Sequence, residues 1–130
     1  MKIIIKSPSN NYVCSIIIGS KIYKEWLKYS FPFVKEYCKK NKIGLIIFNN
    51  SLISKNNIYW KKPTWQKLLV GDFLKKNVKN VKNVCMLDVD ILVNPNAPNI
   101  FDYHNKDKIS VISLRKNLPY DWEKAVKNVS

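Results

Sequence analysis

Two aspartates one residue apart, Asp88 and Asp90, are the side chains in this sequence best suited to chemistry. An apolar run, residues 84–87, directly precedes them, and a second apolar segment, residues 91–93, follows. Carboxylates this close repel each other unless a cation neutralises them, and burying either one without such a partner is costly. Hard cations such as Mg²⁺ and Mn²⁺ prefer oxygen ligands and complete their shells with substrate phosphates. The pair therefore predicts a metal site that handles a diphosphate.

A simpler interpretation of the same tripeptide is that one aspartate caps a turn and the other is solvated. Asp-x-Asp is common enough for this to be the default. The metal-site interpretation is favoured because the pair stands between two apolar segments, which places it at the end of a buried strand.

The elements that must position the pair alternate between strand-like and helix-like patterns. Continuous apolar, β-branched runs predict buried strands at residues 12–18, 43–48, 84–87 and 109–114. Helical periodicity covers residues 21–41 and resumes after Pro63, and a last helix is expected from Pro119 onward. This order is typical of βαβ units, so we expect one α/β domain over residues 1–130, with a mostly parallel sheet flanked by helices. The carboxylates would lie at the carboxyl edge of that sheet, where ligands bind.

Two further details of the helical segments can be tested. Pro32 should kink the 21–41 segment or divide it into two helices, and Ser30 is a candidate cap for the second. Spacings of three and four predict one apolar face in each segment, formed by Ile22, Trp26, Tyr29, Phe33 and Tyr37 in the first and by Trp65, Leu68, Leu69, Phe73 and Leu74 in the second. Trp26 and Trp65 are therefore expected in the core, whereas Trp60 lies in a polar loop and is the better candidate for a ligand platform.

Composition narrows the possible functions. The 130 residues carry a net charge of +14, and Arg115 is the only arginine among 23 basic residues. A nucleic-acid partner is disfavoured because such proteins usually rely on arginine and no recognition motif is visible. The positive field would instead attract nucleotide diphosphates and, at its periphery, an anionic membrane surface. No segment has the pattern of a membrane span or signal peptide, so a cytoplasmic location is expected.

Cysteine and histidine usage limits the metal chemistry. The three cysteines have no CxxC spacing and lie in apolar runs, which predicts buried free thiols rather than disulfides or a zinc site. His104 is the only histidine, so a site rich in imidazole is excluded.

Residues 65–74 (WQKLLVGDFL) and 84–95 (VCMLDVDILVNP) together resemble the core of GT-A-fold glycosyltransferases, especially the galactosyltransferase-like families. Those families carry a helix, a strand and a DxD motif in this order, and residues 99–102 (NIFD) resemble a phrase common after the motif. The resemblance implies a Rossmann-like GT-A fold and a metal-dependent glycosyltransferase. The enzyme would use a nucleotide-diphosphate sugar, with a UDP-sugar the first choice, and would transfer a hexose to a glycan or lipid-linked acceptor.

The resemblance also implies roles for individual residues. Asp88 would bind the metal, Mn²⁺ or Mg²⁺, and the ribose, and Asp90 would bind the metal. Lys67 occupies a helix position that is often basic and faces the donor, although an ordinary solvent-facing lysine is an equal alternative. Gly19 and Ser20 match, by position alone, the loop that contacts the nucleotide base. No catalytic base is assigned.

GT-A enzymes usually continue well past the point where this sequence stops, so the resemblance implies a truncated, N-terminal nucleotide-sugar-binding part. A partner chain could supply the remainder. The alternatives kept open are a non-catalytic sugar-nucleotide-binding fragment, a basic nucleic-acid-binding module and an HAD-type phosphotransferase. The last normally has Gly-Thr after its aspartates, whereas this chain has Ile91-Leu92.

Overall fold

The computed structural model describes residues 1–103 and 108–110. Its regular elements are four strands, three α-helices and two 3₁₀ helices, in the order β1 Lys2–Ile5, β2 Asn11–Ile16, α1 Ser20–Tyr29, α2 Phe31–Lys40, β3 Gly44–Phe48, the 3₁₀ helix Pro63–Leu69, α3 Val70–Asn77, β4 Asn83–Met86 and the short 3₁₀ helix Ile100–Tyr103. Within the described ranges, no helix has the length and apolar composition needed to cross a bilayer.

The four strands form one mixed sheet in the order β1-β3-β2-β4. β2 pairs in parallel with β3 on one side and with β4 on the other, and β1 runs antiparallel along the outer edge of β3. The three strands predicted at residues 12–18, 43–48 and 84–87 are therefore confirmed, together with the small α/β fold, but β4 is half-buried where a buried strand was predicted. The prediction for 109–114 lies mostly outside the described residues, as does the helix from Pro119.

β1 is the strand that the sequence pattern missed. Lys2–Ile5 is short and largely exposed, and a register shift between Ile3 and Ile5 interrupts its pairing with β3. Its apolar run is only three residues long, Ile3 to Ile5 between two lysines, and is shorter than the runs that identified the other three strands. β3, by contrast, is buried at every position, because helices cover both of its faces.

Helices pack on both faces of the sheet. α1 and α2 cover one face, where Trp26, Val34 and Cys38 meet alternate side chains of β2 and β3. α3 covers the other face, where Val70 and Leu74 meet the remaining ones. This arrangement explains the continuous apolar sequences of β2 and β3, whose side chains on both faces are removed from water.

The break between α1 and α2 is confirmed, because α1 ends at Tyr29 and α2 begins at Phe31 with Pro32 in its first turn. The predicted apolar face is only partly right. Trp26 and Tyr37 are buried, but Ile22, Tyr29 and Phe33 are exposed. In α1 only Trp26 is buried, and in α2 the buried side chains are Val34, Tyr37 and Cys38, so one continuous stripe does not describe both helices.

The predicted face of the second helical segment is also partly wrong. Residues 63–69 form a 3₁₀ helix, and an α-helix begins only at Val70. Gln66 and Val70 turn towards the core, whereas Trp65 and Leu68 turn outward. Trp65 is 63% exposed, so its assignment to the core was wrong. A 3₁₀ helix has three residues per turn, and the 3.6-residue period used for the prediction does not apply to it.

Candidate functional site

The aspartate pair lies in a turn that begins immediately after β4. The Leu87 N–H donates to the Cys14 carbonyl at 2.8 Å, and the Ile91 N–H closes the turn on the Asp88 carbonyl at 3.3 Å. Leu87 and Val89 pack against the core on the α1/α2 face, while Asp88 and Asp90 are exposed. The alternation of side chains thus directs both carboxylates outward and anchors the backbone between them.

Two buried serines hold the backbone on either side of Asp88. The Ser15 hydroxyl, near the carboxyl end of β2, donates to the Leu87 carbonyl at 2.9 Å. The Ser30 hydroxyl, between α1 and α2, donates to the Val89 carbonyl at 3.4 Å. Ser30 occupies the N-cap position of α2 but makes no side-chain capping bond, so its hydroxyl serves the turn rather than the helix. Sequence reasoning missed both roles, although a serine within the apolar run of β2 is a signal that a buried hydroxyl has a partner.

Lys67, carried by the 3₁₀ helix Pro63–Leu69, reaches the first carboxylate of the pair. Its ammonium forms an ion pair with Oδ1 of Asp88, and the two side chains are 30% and 55% exposed. Within the described residues this is the only ion pair, and Asp90 takes no part in one. An exposed pair of this kind contributes only about 0–1 kcal/mol to stability. The main consequence of the ion pair is to hold the Lys67 ammonium beside the aspartate turn.

Gln66 fixes the 3₁₀ helix that carries Lys67. The Gln66 side chain is buried, and its Oε1 accepts the Leu52 N–H at 2.7 Å while its Nε2 donates to the Lys61 carbonyl at 2.8 Å. Ser51 completes the set, 2.8 Å from Nε2. The amide therefore joins the helix to both ends of the preceding loop and limits where Lys67 can point. A polar residue between Trp65 and Leu68 gave no sign of this role in the sequence.

Gly19 and Ser20 lie at the carboxyl end of β2, the strand beside β4. Gly19 precedes α1 with a φ of 112°, a conformation that side-chain-bearing residues rarely adopt. Both residues are exposed, and no hydrogen bond or ion pair within the described ranges joins them to either carboxylate. Ser20 is the first residue of α1, and Gly19 occupies the N-cap position.

The strand order adds a general reason to place a ligand here. The chain passes from β2 outward to β3 and then returns to β4 on the other side of β2. In open α/β sheets the connections diverge where the order reverses, and ligands bind in that crevice beyond the carboxyl ends. Gly19 follows one of the two flanking strands and Asp88 follows the other.

The donor set suits a hard cation in type but is incomplete. Asp88 and Asp90 offer carboxylate oxygens, which Mg²⁺ and Mn²⁺ prefer, and only Oδ1 of Asp88 contacts Lys67. In the part of the chain that is described, no group of three or more His, Cys, Asp and Glu side chains is placed to hold a metal. Two carboxylates fit a cation that also takes phosphate oxygens from its ligand.

An apolar cavity of about 370 Å³ lies next to the aspartate turn, between α2 and residues 91–103. Leu87 and Ile91 line it, but neither carboxylate does. Tyr37 holds residues 98–100 against α2, because its hydroxyl donates to the Pro98 carbonyl at 3.1 Å and accepts the Ile100 N–H at 2.9 Å. Burial raises the pKa of Tyr37, which keeps that hydroxyl protonated. The cavity is too apolar to receive a diphosphate, so the candidate site is the open edge above it.

The remaining sequence predictions concern thiols, tryptophan and histidine. All three cysteines are free, with Cys14 and Cys38 buried and Cys85 partly buried, and burial raises the pKa of each. Trp60 is half-buried, and its indole N–H has no acceptor within the described residues, which does not resemble an open platform. His104 lies outside the described residues.

Comparison of the chain with protein-family models, with curated proteins and with solved structures found no match.

Proposed function

We propose that this chain binds a nucleotide-diphosphate sugar together with a divalent cation and acts as a GT-A-type, metal-dependent glycosyltransferase. The observation that carries the proposal is the ion pair between Lys67 and Asp88 at the carboxyl edge of the parallel strands. A cationic side chain and an exposed carboxylate pair at the reversal of strand order suit an anionic ligand bound through a metal.

The residues have distinct roles in this proposal. Asp88 and Asp90 hold the cation, Mn²⁺ or Mg²⁺, which when bound neutralises the two donor phosphates. Lys67 leaves Oδ1 of Asp88 and contacts a phosphate oxygen, so its ammonium exchanges one anionic partner for another. Ser15 and Ser30 keep the turn backbone in place during that exchange. Gly19 and Ser20 lie where the nucleoside would cross the end of β2. A glycan or lipid-linked molecule is the proposed hexose acceptor.

Thermal denaturation with UDP-glucose or UDP-galactose and Mn²⁺ tests the binding. Ligand that binds only the folded chain raises its stability by about 2–3 kcal/mol at one hundred times the dissociation constant. For a chain of this size the melting temperature should therefore rise by roughly 5–10 °C. Asp88→Asn and Asp90→Asn should abolish the rise, and Lys67→Met should reduce it, because each removes a group that contacts metal or phosphate.

Matched controls are available on α3, where Asp72 and Lys76 are exposed and neither forms an ion pair with a described residue of the aspartate turn. Asp72→Asn and Lys76→Met make the same chemical changes and should leave the rise intact. The proposal is overturned if the unmodified chain shows no rise with either UDP-sugar in Mn²⁺ or Mg²⁺. Transfer itself is tested by release of UDP when glycan or lipid-linked acceptors are added.

A further inference from the structure

A second exposed surface lies on the outer side of the 3₁₀ helix, turned away from the core. It is formed by Tyr59 from the loop and by Trp65, Leu68 and Leu69 from the helix, and we call it the loop–helix surface. These four side chains are exposed, with Leu68 at 79%. Ile58, next to Tyr59 in sequence, is 87% exposed. Apolar side chains of this size gathered in one place usually mark an interaction site.

The loop–helix surface is concave and held in shape from beneath. Tyr59, Trp65, Leu68 and Leu69 line an open cleft of about 480 Å³. Gln66 lines the same cleft, and its hydrogen bonds to Leu52 and to the Lys61 carbonyl join the loop to the helix. The apolar side chains are therefore presented by a braced backbone.

Positive charge accompanies the loop–helix surface on the loop side. Lys61 lines the cleft, Lys62 follows it, and Lys55 lies earlier in the same loop, all of them exposed. Between Glu36 and Asp72 the sequence contains no acidic residue. Apolar contact and electrostatic attraction to an anion are thus available in one place.

We propose that the loop–helix surface docks the protein onto an anionic lipid bilayer. Tryptophan and tyrosine concentrate at the boundary between lipid headgroups and acyl chains, and Leu68 and Ile58 can reach the acyl region below it. Lysines beside such a surface are attracted to anionic headgroups. Binding of this kind combines buried apolar area with charge attraction, and the loop–helix surface supplies both.

Two other occupants fit the surface less well. A second copy of the chain meeting it symmetrically would set Lys61 and Lys62 of one protomer against those of the other, which is repulsive. A sugar would gain hydrogen bonds from neither Ile58 nor Leu68. An anionic bilayer satisfies the lysines and the aliphatic side chains together.

Vesicle flotation tests the docking directly. The chain should float with vesicles of phosphatidylcholine and phosphatidylglycerol, bind vesicles of phosphatidylcholine alone far more weakly, and lose affinity as salt is raised. The double variant Trp65→Ser with Leu68→Ser should lower the partition coefficient by about tenfold or more. The variant Lys61→Gln with Lys62→Gln should lower it by about fivefold per lysine.

The matched control for charge is Lys24→Gln with Lys39→Gln, which removes two exposed lysines from α1 and α2 on the opposite face of the sheet. This control should retain most of the binding. Leu27→Ser on α1 is the apolar control and should bind as the unmodified chain does. Circular dichroism confirms that each variant is folded before its binding is compared.

Three results would overturn the docking proposal: equal binding to neutral and anionic vesicles, equal loss in the α1/α2 control, or self-association through Trp65 and Leu68 in sedimentation. The proposal does not depend on the sugar-nucleotide site. Asp88→Asn should bind anionic vesicles as well as the unmodified chain does, so failure of one proposal leaves the other standing.

Discussion

The two faces of the sheet place a tryptophan-bearing helical segment in opposite environments. Trp26, on α1, is 3% exposed and packs against Phe31 with ring centroids 5.2 Å apart. Trp65, on the 3₁₀ helix, is 63% exposed, and the neighbouring Gln66 occupies the inward position. Trp26 contributes apolar burial that stabilises the fold. Trp65 stays at the surface beside the exposed Leu68, where it is available for binding.

The largest expected effect comes from truncating the two tryptophans. Trp26→Ala should lower the free energy of unfolding by about 3–5 kcal/mol, because it leaves a cavity among packed side chains. Trp65→Ala should change it by about 0.5 kcal/mol or less, as is usual for exposed positions. Urea denaturation of both variants measures the difference. Equal losses would contradict the assignment of the two faces.

A smaller effect is expected from the amide that braces the second face. Gln66→Leu should cost about 1–3 kcal/mol, because the Leu52 N–H and the Lys61 carbonyl lose their buried partner. The same variant should also weaken both UDP-sugar and vesicle binding, since Lys67 and Trp65 lie on either side of Gln66. Asn77→Leu is a control that removes an amide whose bond to the Phe73 carbonyl is exposed. A loss no greater than in this control would mean that Gln66 does not brace the loop.

Counted per pH unit, the smallest effect compares the thiols buried under the two faces, Cys38 under α1/α2 and Cys14 under α3. Burial raises the pKa of Cys38 from 9.0 to about 12, and the pKa of Cys14 is raised further. The folded state then holds these protons more tightly than the unfolded chain. The associated stability is complete below about pH 9 and is lost as pH rises towards 12, at roughly 1 kcal/mol per pH unit for each thiol.

Denaturation midpoints measured between pH 8 and 11, a window set by those pKa values, test this dependence. Cys38→Ala and Cys14→Ala should each reduce the alkaline slope relative to the unmodified chain, whatever their stability at neutral pH. An unchanged slope in Cys38→Ala alone would show that the α1/α2 face admits water and is the looser of the two.

The candidate site was only partly accessible from the sequence. Asp88 and Asp90 were identifiable because an apolar strand leads directly into them, and a strand followed by charge is a local pattern. Lys67 was found only through the family resemblance, and its contact with Asp88 joins two elements whose pairing no local pattern records. Ser15, Ser30 and Gln66 were missed because their partners are backbone groups of distant segments.

The sequence by itself determined the three parallel strands β2, β3 and β4, the break at Pro32, the free thiols and the position of the aspartates after β4. Each follows from the composition of a short contiguous segment, where burial on both faces or a fixed backbone angle leaves a direct mark. Only the tertiary structure decided the edge strand β1, the strand order, the outward turn of Trp65 and the meeting of Lys67 with Asp88. These four features depend on contacts between groups that lie far apart in the sequence. In the 3₁₀ helix Pro63–Leu69, Gln66 is buried and Trp65 is exposed, whereas an α-helical period places Trp65 on the buried side.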